Sequence, residues 1–558
     1  MQVRIIPFDQ SRRRWPAAFA VVLLLGAAAD KSSKAQDTLL ADIAIYGATP
    51  AGIVASIRLK ELGHSVLLLE PSRHVGGMTT GGLGATDIGN KQAIGGMARQ
   101  FYQRIYQYYQ SDVAWRFQKR DQYKGTHQRP GETSQWTFEP QAARVVFQTW
   151  MAEHGIQPRL DSYLDRSQPL KLTDGRIGDI RLTDGTTVRA RYYMDATYEG
   201  DLMAQAGVDF TLGRESNDQY GESLNGVQFA QAKKHQFLPG ISPYRVAGDA
   251  ASGLLPGIAS RAPQSDGTAD RLVQAYCLRM TLTDAPENRI EFQKPDGYRE
   301  EDYELLFRQF EGGLAILPWH SIGVPNRKTD TNNNTGFSTD MIDGSHLWAQ
   351  ASYDQRQAIF QKHWDYQRGL VWSLANHPRV PEKLRREAAR WGTSRDEFES
   401  TQGWSPQLYV REARRLVGAM VMNERHCRGQ EVCDDSVGMA AYTMDSHNVQ
   451  RVVGKDGYVQ NEGDVQVGGF PPYPISYRSL IPKESQCTNL VVPVCLSASH
   501  IAYGSIRMEP VFMVLGQSSA EALHLALREG VGLPSIRYER LRERLLDGKQ
   551  VLTLAVRP

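Results

Sequence analysis

Gly47, Thr49, Gly52 and Glu70 are residues whose types and spacing can hold a dinucleotide. In a G-x-G-x-x-G turn, glycine lets a strand pass tightly into a helix. The free N–H groups and positive dipole end of that helix then meet the pyrophosphate. Gly47-Ala48-Thr49-Pro50-Ala51-Gly52 repeats the pattern, with Thr49 where a second glycine normally lets the backbone approach the phosphates. Glu70 stands eighteen positions after Gly52 (70 minus 52), where an acid can accept from a ribose hydroxyl, and Pro71 belongs to the same turn. Two glycine doublets follow, Gly76-Gly77 and Gly81-Gly82, with Met78 between them. A nicotinamide site would enter another helix here, whereas glycine-dense backbone can lie against a ribityl chain and a flat ring. The expected cofactor is therefore FAD, with a flexible loop as the plain alternative. Far downstream, Asp445-Ser446-His447-Asn448 sets a histidine beside a carboxylate and an amide, a group able to relay protons while an alcohol is oxidised.

The elements that must position these residues can be read in order. Asp42 to Tyr46 is an apolar run suited to a buried parallel strand, Pro50 opens a helix, and Val66 to Leu69 supplies the next strand. Apolar spacing predicts a helix over 139–154 with Gly155 as its stop. Ile177 to Leu182 and Val188 to Met194, joined at Thr183-Asp184-Gly185, predict a hairpin running into Asp195-Ala196-Thr197. Tyr276 to Thr283 reads as a sheet strand, and Arg411, Glu412, Arg414 and Arg415 as a salt-bridged helix. Asn489 to Pro493 is another apolar strand. Pro510 then occupies the first turn of a helix that reaches Arg528 and stops at Gly530.

Composition bounds the rest. The chain has 558 residues, which calls for two packed units or one core with a large insertion. Its 64 Lys and Arg nearly cancel its 62 Asp and Glu, and no basic tract follows the N-terminus, so nothing points to nucleic acid. Residues 11–29, with three arginines before an apolar run and small residues, read as an export leader cut after Ala29 or Ala35. A membrane anchor would need a longer run, so no stable span is expected after cleavage. Ser11-Arg12-Arg13-Arg14-Trp15 loosely matches a twin-arginine start, which sets that route beside the general secretory one. Five cysteines suit an exported protein. The pairings Cys427 with Cys433 and Cys487 with Cys495 are expected, leaving Cys277 a buried thiol, and no metal-site spacing is present.

GATPAGI, GGMTTGGLGATD, DATYEGDL, GRES, YVREARR, DSHNVQR, SYRSLIP and SASHIAYGSIRMEPVFMVLGQ, in that order, resemble the FAD-dependent oxidoreductase family whose bacterial members are often exported and some of which carry a xanthan lyase label. The resemblance spans the chain from about residue 40. It implies an α/β architecture: a Rossmann-like FAD-binding domain of the glutathione-reductase type with a large α+β substrate-side insertion. On that reading residues 1–35 are the signal peptide, and 36–215 and 401–540 are the two parts of the FAD-binding domain. Residues 216–400 are the insertion and 541–558 a tail. Cofactor contacts extend to Ala196, Thr197, Arg507, Met508, Gly516 and Gln517. The helix begun at Pro510 would aim its positive end at the flavin pyrimidine edge, an effect of about 0.3 to 2 kcal/mol. His500, just upstream, is the first choice for a base facing the ring, His447 the second. The polar run Pro325 to Asn334 reads as a solvated loop, and the resemblance is what brings Lys328, Asp330 or Asn333 toward substrate or flavin. Two departures stand out. Ser518-Ser519-Ala520 follows Gly516-Gln517 where the family has smaller residues, and no ribityl-binding aspartate follows Asn489 to Pro493.

The expected function is hydride transfer from the C–H of a polar substrate, with a carbohydrate as the expected class, to FAD, with an external electron acceptor, in the periplasm or outside the cell. No second strand–glycine–helix unit appears, so electrons are expected from the substrate and not from a bound nicotinamide. The rivals are a non-redox lyase or isomerase that keeps FAD as a scaffold, and a carbohydrate-binding protein with a vestigial nucleotide site.

Overall fold

The computed structural model describes residues 37–554 except positions 126 and 130, so the leader expected over 1–35 lies outside the described residues. Among the described residues, no helix is long and apolar enough to cross a membrane.

The architecture is α/β. Strand β1 (Thr38–Tyr46), helix α1 (Pro50–Glu61) and strand β2 (Val66–Leu69) form the first unit, and β3 (Thr187–Asp195) and β4 (Leu490–Val491) complete a parallel sheet in the order β2-β1-β3-β4. The half of β1 from Ile43 to Tyr46 is fully buried, as a strand covered on both faces must be. The predicted hairpin is present, Asp179–Arg181 pairing antiparallel with the start of β3, and the predicted helix spans Pro140–Glu153. From β1 the chain goes to β2 on one side and later returns to β3 on the other. A crevice therefore opens beyond the carboxyl end of β1.

The C-terminal return passes through α2 (His500–Ile506) and α3 (Glu509–Glu529), which stops at Gly530 in the left-handed region (φ 70°). Helix α3 lies directly against α1. At the crossing a side chain on Gly516 would begin 2.4 Å from the Ala51 carbonyl oxygen, so only glycine allows the two backbones to meet. Ser518 is absorbed by donating to the Val437 carbonyl at 2.6 Å.

A second, antiparallel sheet is ordered Arg289–Ile290, Gly392–Ser394, Leu282–Thr283, Lys328–Asn333, Trp319–Val324. It overturns the expectation of a solvated loop at 325–334, because Lys328–Asn333 is a buried strand. The Lys328 ammonium sits 2.8 Å from Glu139, 2.8 Å from Asp396 and 2.9 Å from Glu397, and these carboxylates raise its pKa against the opposing effect of burial. Polar residues can be buried when distant segments supply such partners, and those partners are invisible in the local pattern. The predicted strand over 276–283 shortens to Leu282–Thr283, preceded by single bridges at Tyr276, Leu278 and Met280. The helix expected at 411–415 is absent. That backbone is not helical, and besides the Arg415–Glu412 pair its charged side chains reach distant partners.

The expected disulfides are also absent, since all five cysteines are buried and free. Cys487 and Cys495 lie beyond opposite ends of β4, and Cys487 faces the Asn489 side chain at 3.5 Å. Cys495 instead faces the Thr197 carbonyl at 3.3 Å. Cys427 ends the short helix Glu424–Cys427 and lies against Tyr473, away from any pairing with Cys433. Cys277 is the buried thiol expected, 3.5 Å from Arg411 Nη2.

Replacing Gly516 with valine should separate α1 from α3 and cost about 1–3 kcal/mol, seen as a lower urea midpoint at unchanged slope. An unchanged midpoint would show that the crossing tolerates a side chain.

Candidate functional site

The crevice beyond β1 is a cleft of about 570 Å³, bordered by Gly47, Thr49, Glu70, Pro71, Gly77 and Thr197 at its base and by Gln407, Tyr353 and Trp348 opposite. Its floor is shaped by glycine. Gly47 has φ 107°, and a side chain on it would begin 2.8 Å from the Ala196 carbonyl carbon and the Thr197 nitrogen. One on Gly52 would begin 2.0 Å from the Gly47 oxygen. Thr49 caps α1 and donates to the Ala196 carbonyl at 2.7 Å. The threonine thus ties the turn to β3 where the usual second glycine would leave it bare. Pro50 occupies the first helical turn.

Glu70 is buried at the end of β2. One carboxylate oxygen accepts from the Ala48 N–H at 2.8 Å, the other from the N–H and hydroxyl of Ser72 at 2.9 and 2.7 Å. Burial raises its pKa in spite of those bonds. Because each carboxylate oxygen can accept twice, Glu70 retains capacity toward a ribose.

Farther in, the glycine doublets meet the start of α3. The Tyr198 hydroxyl occupies the space a side chain on Gly77 would need, receives the Met78 N–H at 2.9 Å and donates to Glu509 at 2.7 Å. Thr79 also donates to Glu509, at 2.9 Å. Burial pushes the Glu509 carboxyl up to about 7, against the two hydroxyl donors. Gly81 fits against Gln407, and Gly82 against the Arg279 carbonyl oxygen.

Beyond Gln407 the same stretch reaches a buried charged chamber. Tyr409 receives Arg507 at 3.1 Å and lies under the Arg411 guanidinium, 4.5 Å from the ring centre. Arg411 pairs with Asp340 at 3.0 Å, and the other Asp340 oxygen meets His447 Nδ1 at 2.7 Å. Asp445 lies 3.6 Å from His447 Nε2 and 3.3 Å from Arg507. Asp330 accepts from the Ala85 N–H at 2.8 Å and pairs with Arg279. Burial and Arg411 oppose charge on His447, but Asp340 and Asp445 outweigh them and raise its pKa. The Asp340 carboxyl, which burial alone would raise, is held well below the usual range by Arg411 and His447. Among the described residues, Thr86 Oγ1, Arg411 Nε and Arg507 Nε are buried without a hydrogen-bond partner, so polar groups here are left to meet something other than protein.

The sequence-predicted residues divide accordingly. Gly47, Thr49, Glu70, Pro71, Gly77 and Thr197 border the cleft. Arg507 and His447 meet in the inner chamber around Asp445. Met508 is the residue capping α3. Ala51, Gly516 and Gln517 sit on the packing side. Gln517 accepts from the Met97 N–H at 2.7 Å and donates to the Gly548 carbonyl at 2.9 Å. Gly76 takes φ 98° and its N–H reaches the Ala48 carbonyl at 2.8 Å. Asn333 is buried at the end of its strand opposite Trp319.

His500 has no open face. Its Nδ1 lies 2.7 Å from Glu412 and its Nε2 3.0 Å from Ser446 Oγ, and burial with Arg415 and Arg214 nearby pushes its pKa down to about 3. A neutral ring with Nδ1–H donating to Glu412 accepts the Ser446 hydroxyl, which fixes the segment carrying Asp445 and His447. Sequence reasoning missed Glu509, Tyr198, Asp340 and Arg279. Glu509 and Tyr198 lie inside quoted motifs, but an acid at a helix start reads as ordinary dipole pairing.

No curated protein matches the sequence. Among solved structures, a cyclohexanone monooxygenase mutant from Rhodococcus sp. Phi1 bound to NADP+ is 14% identical over 28% of this chain and 26% of its own, with a TM-score of 0.19. L-amino acid deaminase from Proteus vulgaris is 15% identical over 33% of this chain and 61% of its own, with a TM-score of 0.23. A PqsL mutant from P. aeruginosa is 11% identical over 91% of this chain and 93% of its own, with a TM-score of 0.34. The chain thus spans about a quarter of the monooxygenase and under two thirds of the deaminase. A family model described as FAD dependent oxidoreductase matches residues 42–545. With the glycine-shaped cleft, the buried Glu70 and the unpartnered polar atoms of the inner chamber all suited to that cofactor, the chain belongs to the FAD-dependent oxidoreductase family, whose cofactor is FAD.

Proposed function

We propose that the protein is an exported oxidoreductase that oxidises a polar substrate, a saccharide or a related polyol, at a C–H bond bearing a hydroxyl. The observation that carries this reading is the His447–Asp340–Asp445 group. It is a titratable ring between two carboxylates, in a chamber reached from the cleft-lining Gln407 and Leu408 through the next three residues to Arg411. Bound FAD supplies the acceptor for the hydride. His447 accepts the hydroxyl proton at Nε2 as the carbonyl forms, while Asp340 holds the ring through Nδ1 and stabilises the imidazolium. Arg411 and Arg507 present charge to an oxygen that becomes more negative as its proton leaves. Around them, buried aromatic and aliphatic walls exclude water. An external acceptor then takes the electrons.

Three finer assignments belong to the same proposal. The return of β4, α2 and α3 to the first unit supports a glutathione-reductase type of FAD domain. The antiparallel sheet drawn from residues 282–394 supports a substrate-side insertion. Export rests on the basic and apolar residues 11–29. His500 acts in this scheme as a positioning residue, through Ser446.

Anaerobic mixing of the holoenzyme with a panel of sugars and polyols should bleach the visible flavin absorbance. Turnover of a saccharide without bleaching would end the redox reading. Because the His447 pKa is raised above 6.5 and only the neutral ring can take a proton, flavin reduction should accelerate as pH rises through that raised value. His447→Gln should slow reduction by about 10²-fold or more and abolish that rise. A variant that kept the pH profile would place the base elsewhere.

Glu70→Gln would turn an amide N–H toward the N–H of Ala48 or Ser72. It should weaken FAD retention about ten-fold or more, measured as flavin fluorescence released at equilibrium. Unchanged retention would remove Glu70 from the cofactor site.

A further inference from the structure

A second cavity, of about 380 Å³, lies away from the dinucleotide cleft, between the helix Tyr353–Asn376 and the segments 295–303 and 337–342. One wall is built of tyrosine. Tyr298 and Tyr303 stack at 5.2 Å and 8°, and Tyr303 and Tyr366 at 6.2 Å and 20°. Phe337 stands across them, tilted 43° to Tyr366. At the inner end is Arg451, only 3% exposed. Its Nε donates to Asn461 at 3.0 Å on the paired strand, and its Nη2 to the Gly336 carbonyl at 3.1 Å. The guanidinium lies between the faces of Phe237 and Phe337, 5.1 and 5.3 Å from their centres. Its Nη1 has no hydrogen-bond partner among the described residues. Gly257, whose missing side chain would begin 3.2 Å from Nη1, leaves that arm open to the cavity.

The other buried arginines of this chain set the comparison. Arg214, Arg279, Arg356, Arg411, Arg414, Arg415 and Arg507 each lie within 3.3 Å of a carboxylate. Arg451 alone among the described buried arginines has only neutral partners. A buried guanidinium without an anion is costly, and a carboxylate meets it in bidentate geometry. Burial pushes the Arg451 pKa down to about 10, which leaves the side chain charged at neutral pH. The charged residues at the cavity rim, Arg299, Asp302, Lys362 and Asp365, balance one another, and Arg299 is already bonded to Asp302 at 3.0 Å. The net charge offered to a ligand is therefore the inner guanidinium.

We propose that this cavity binds a carboxylate carried on a ring, with the acid on the free arm of Arg451 and the ring against the tyrosine and Phe337 walls. A sugar acid and an aromatic acid share that chemistry, and the volume suits either. The site does not depend on the redox reading. It communicates with the chamber by one segment, since Phe337 and Met341 line the cavity while Asp340 between them turns to Arg411 and His447.

Calorimetric titration of the holoenzyme with glucuronate and benzoate, with glucose and benzyl alcohol as neutral counterparts, tests the site. At least one acid should bind one-to-one, and its neutral counterpart at least ten-fold more weakly. Binding of glucuronate alone identifies a sugar-acid site, and of benzoate alone an aromatic-acid site. Arg451→Gln should weaken the bound acid at least ten-fold. Ile342→Trp, which fills the cavity from another wall and leaves the partners of Arg451 in place, should do the same. The proposal is overturned if neither acid binds, if the neutral counterpart binds equally well, or if the folded variants, checked by their flavin spectra, bind the acid as the parent does.

Discussion

The contact on which the rest of the structure depends is the crossing of α1 and α3 at Ala51 and Gly516. Helix α1 belongs to the first strand–helix–strand unit, and α3 arrives from more than four hundred residues later. Only a glycine at 516 lets the backbones come close enough for α3 to begin beside the glycine doublets. From that crossing follow the bonds of Glu509 to Thr79 and Tyr198, and the placement of Arg507 over Tyr409. A loss of a few ångströms there would separate the cleft from the chamber, because both are assembled from the two ends of the chain.

Around the chamber the protein buries an unusual amount of charge and satisfies nearly all of it in pairs. The extended stretch from Tyr409 to Arg415 makes this possible. Arg411 reaches Asp340, Glu412 reaches His500, Arg414 reaches Asp201 and Arg415 reaches Glu215. A helix would have placed several of these groups on one face, where they would pair with one another. Here Arg415 and Glu412 do pair with each other, but each also reaches a distant partner, so one short segment is tied to Asp340, Asp201, Glu215 and α2. Such pairs add less stability than specificity, since each removal would leave a buried charge.

The two histidines show how the surroundings divide similar residues. Both sit beside a carboxylate at 2.7 Å. His447 has a second carboxylate near its other nitrogen, and the two acids raise its pKa against burial and Arg411. His500 has a serine hydroxyl there and two arginines nearby, and stays neutral. Nearness to the start of α3 ranked His500 first in the sequence, whereas the groups that set the two rings apart, Asp340, Arg415 and Arg214, come from other parts of the chain.

The sequence by itself determined the strand, glycine turn, helix and acid from Asp42 to Glu70, the hairpin before Asp195, the helix after Met508 with its stop at Gly530, and the dinucleotide character of the cleft. Those features are local. They follow from periodicity, from the freedom of glycine and from the capping of helix ends, all of which act over a few residues. Only the tertiary structure decided that the polar run at Lys328 is a buried strand, that Arg411 to Arg415 is extended, that the cysteines stay free, that Gly516 and Gln517 pack and do not face the cleft, and that Glu509 joins the doublets to α3. In each case the deciding partner lies far along the chain. A buried charge or a close helix approach is stable only when that partner is present, which no local pattern records.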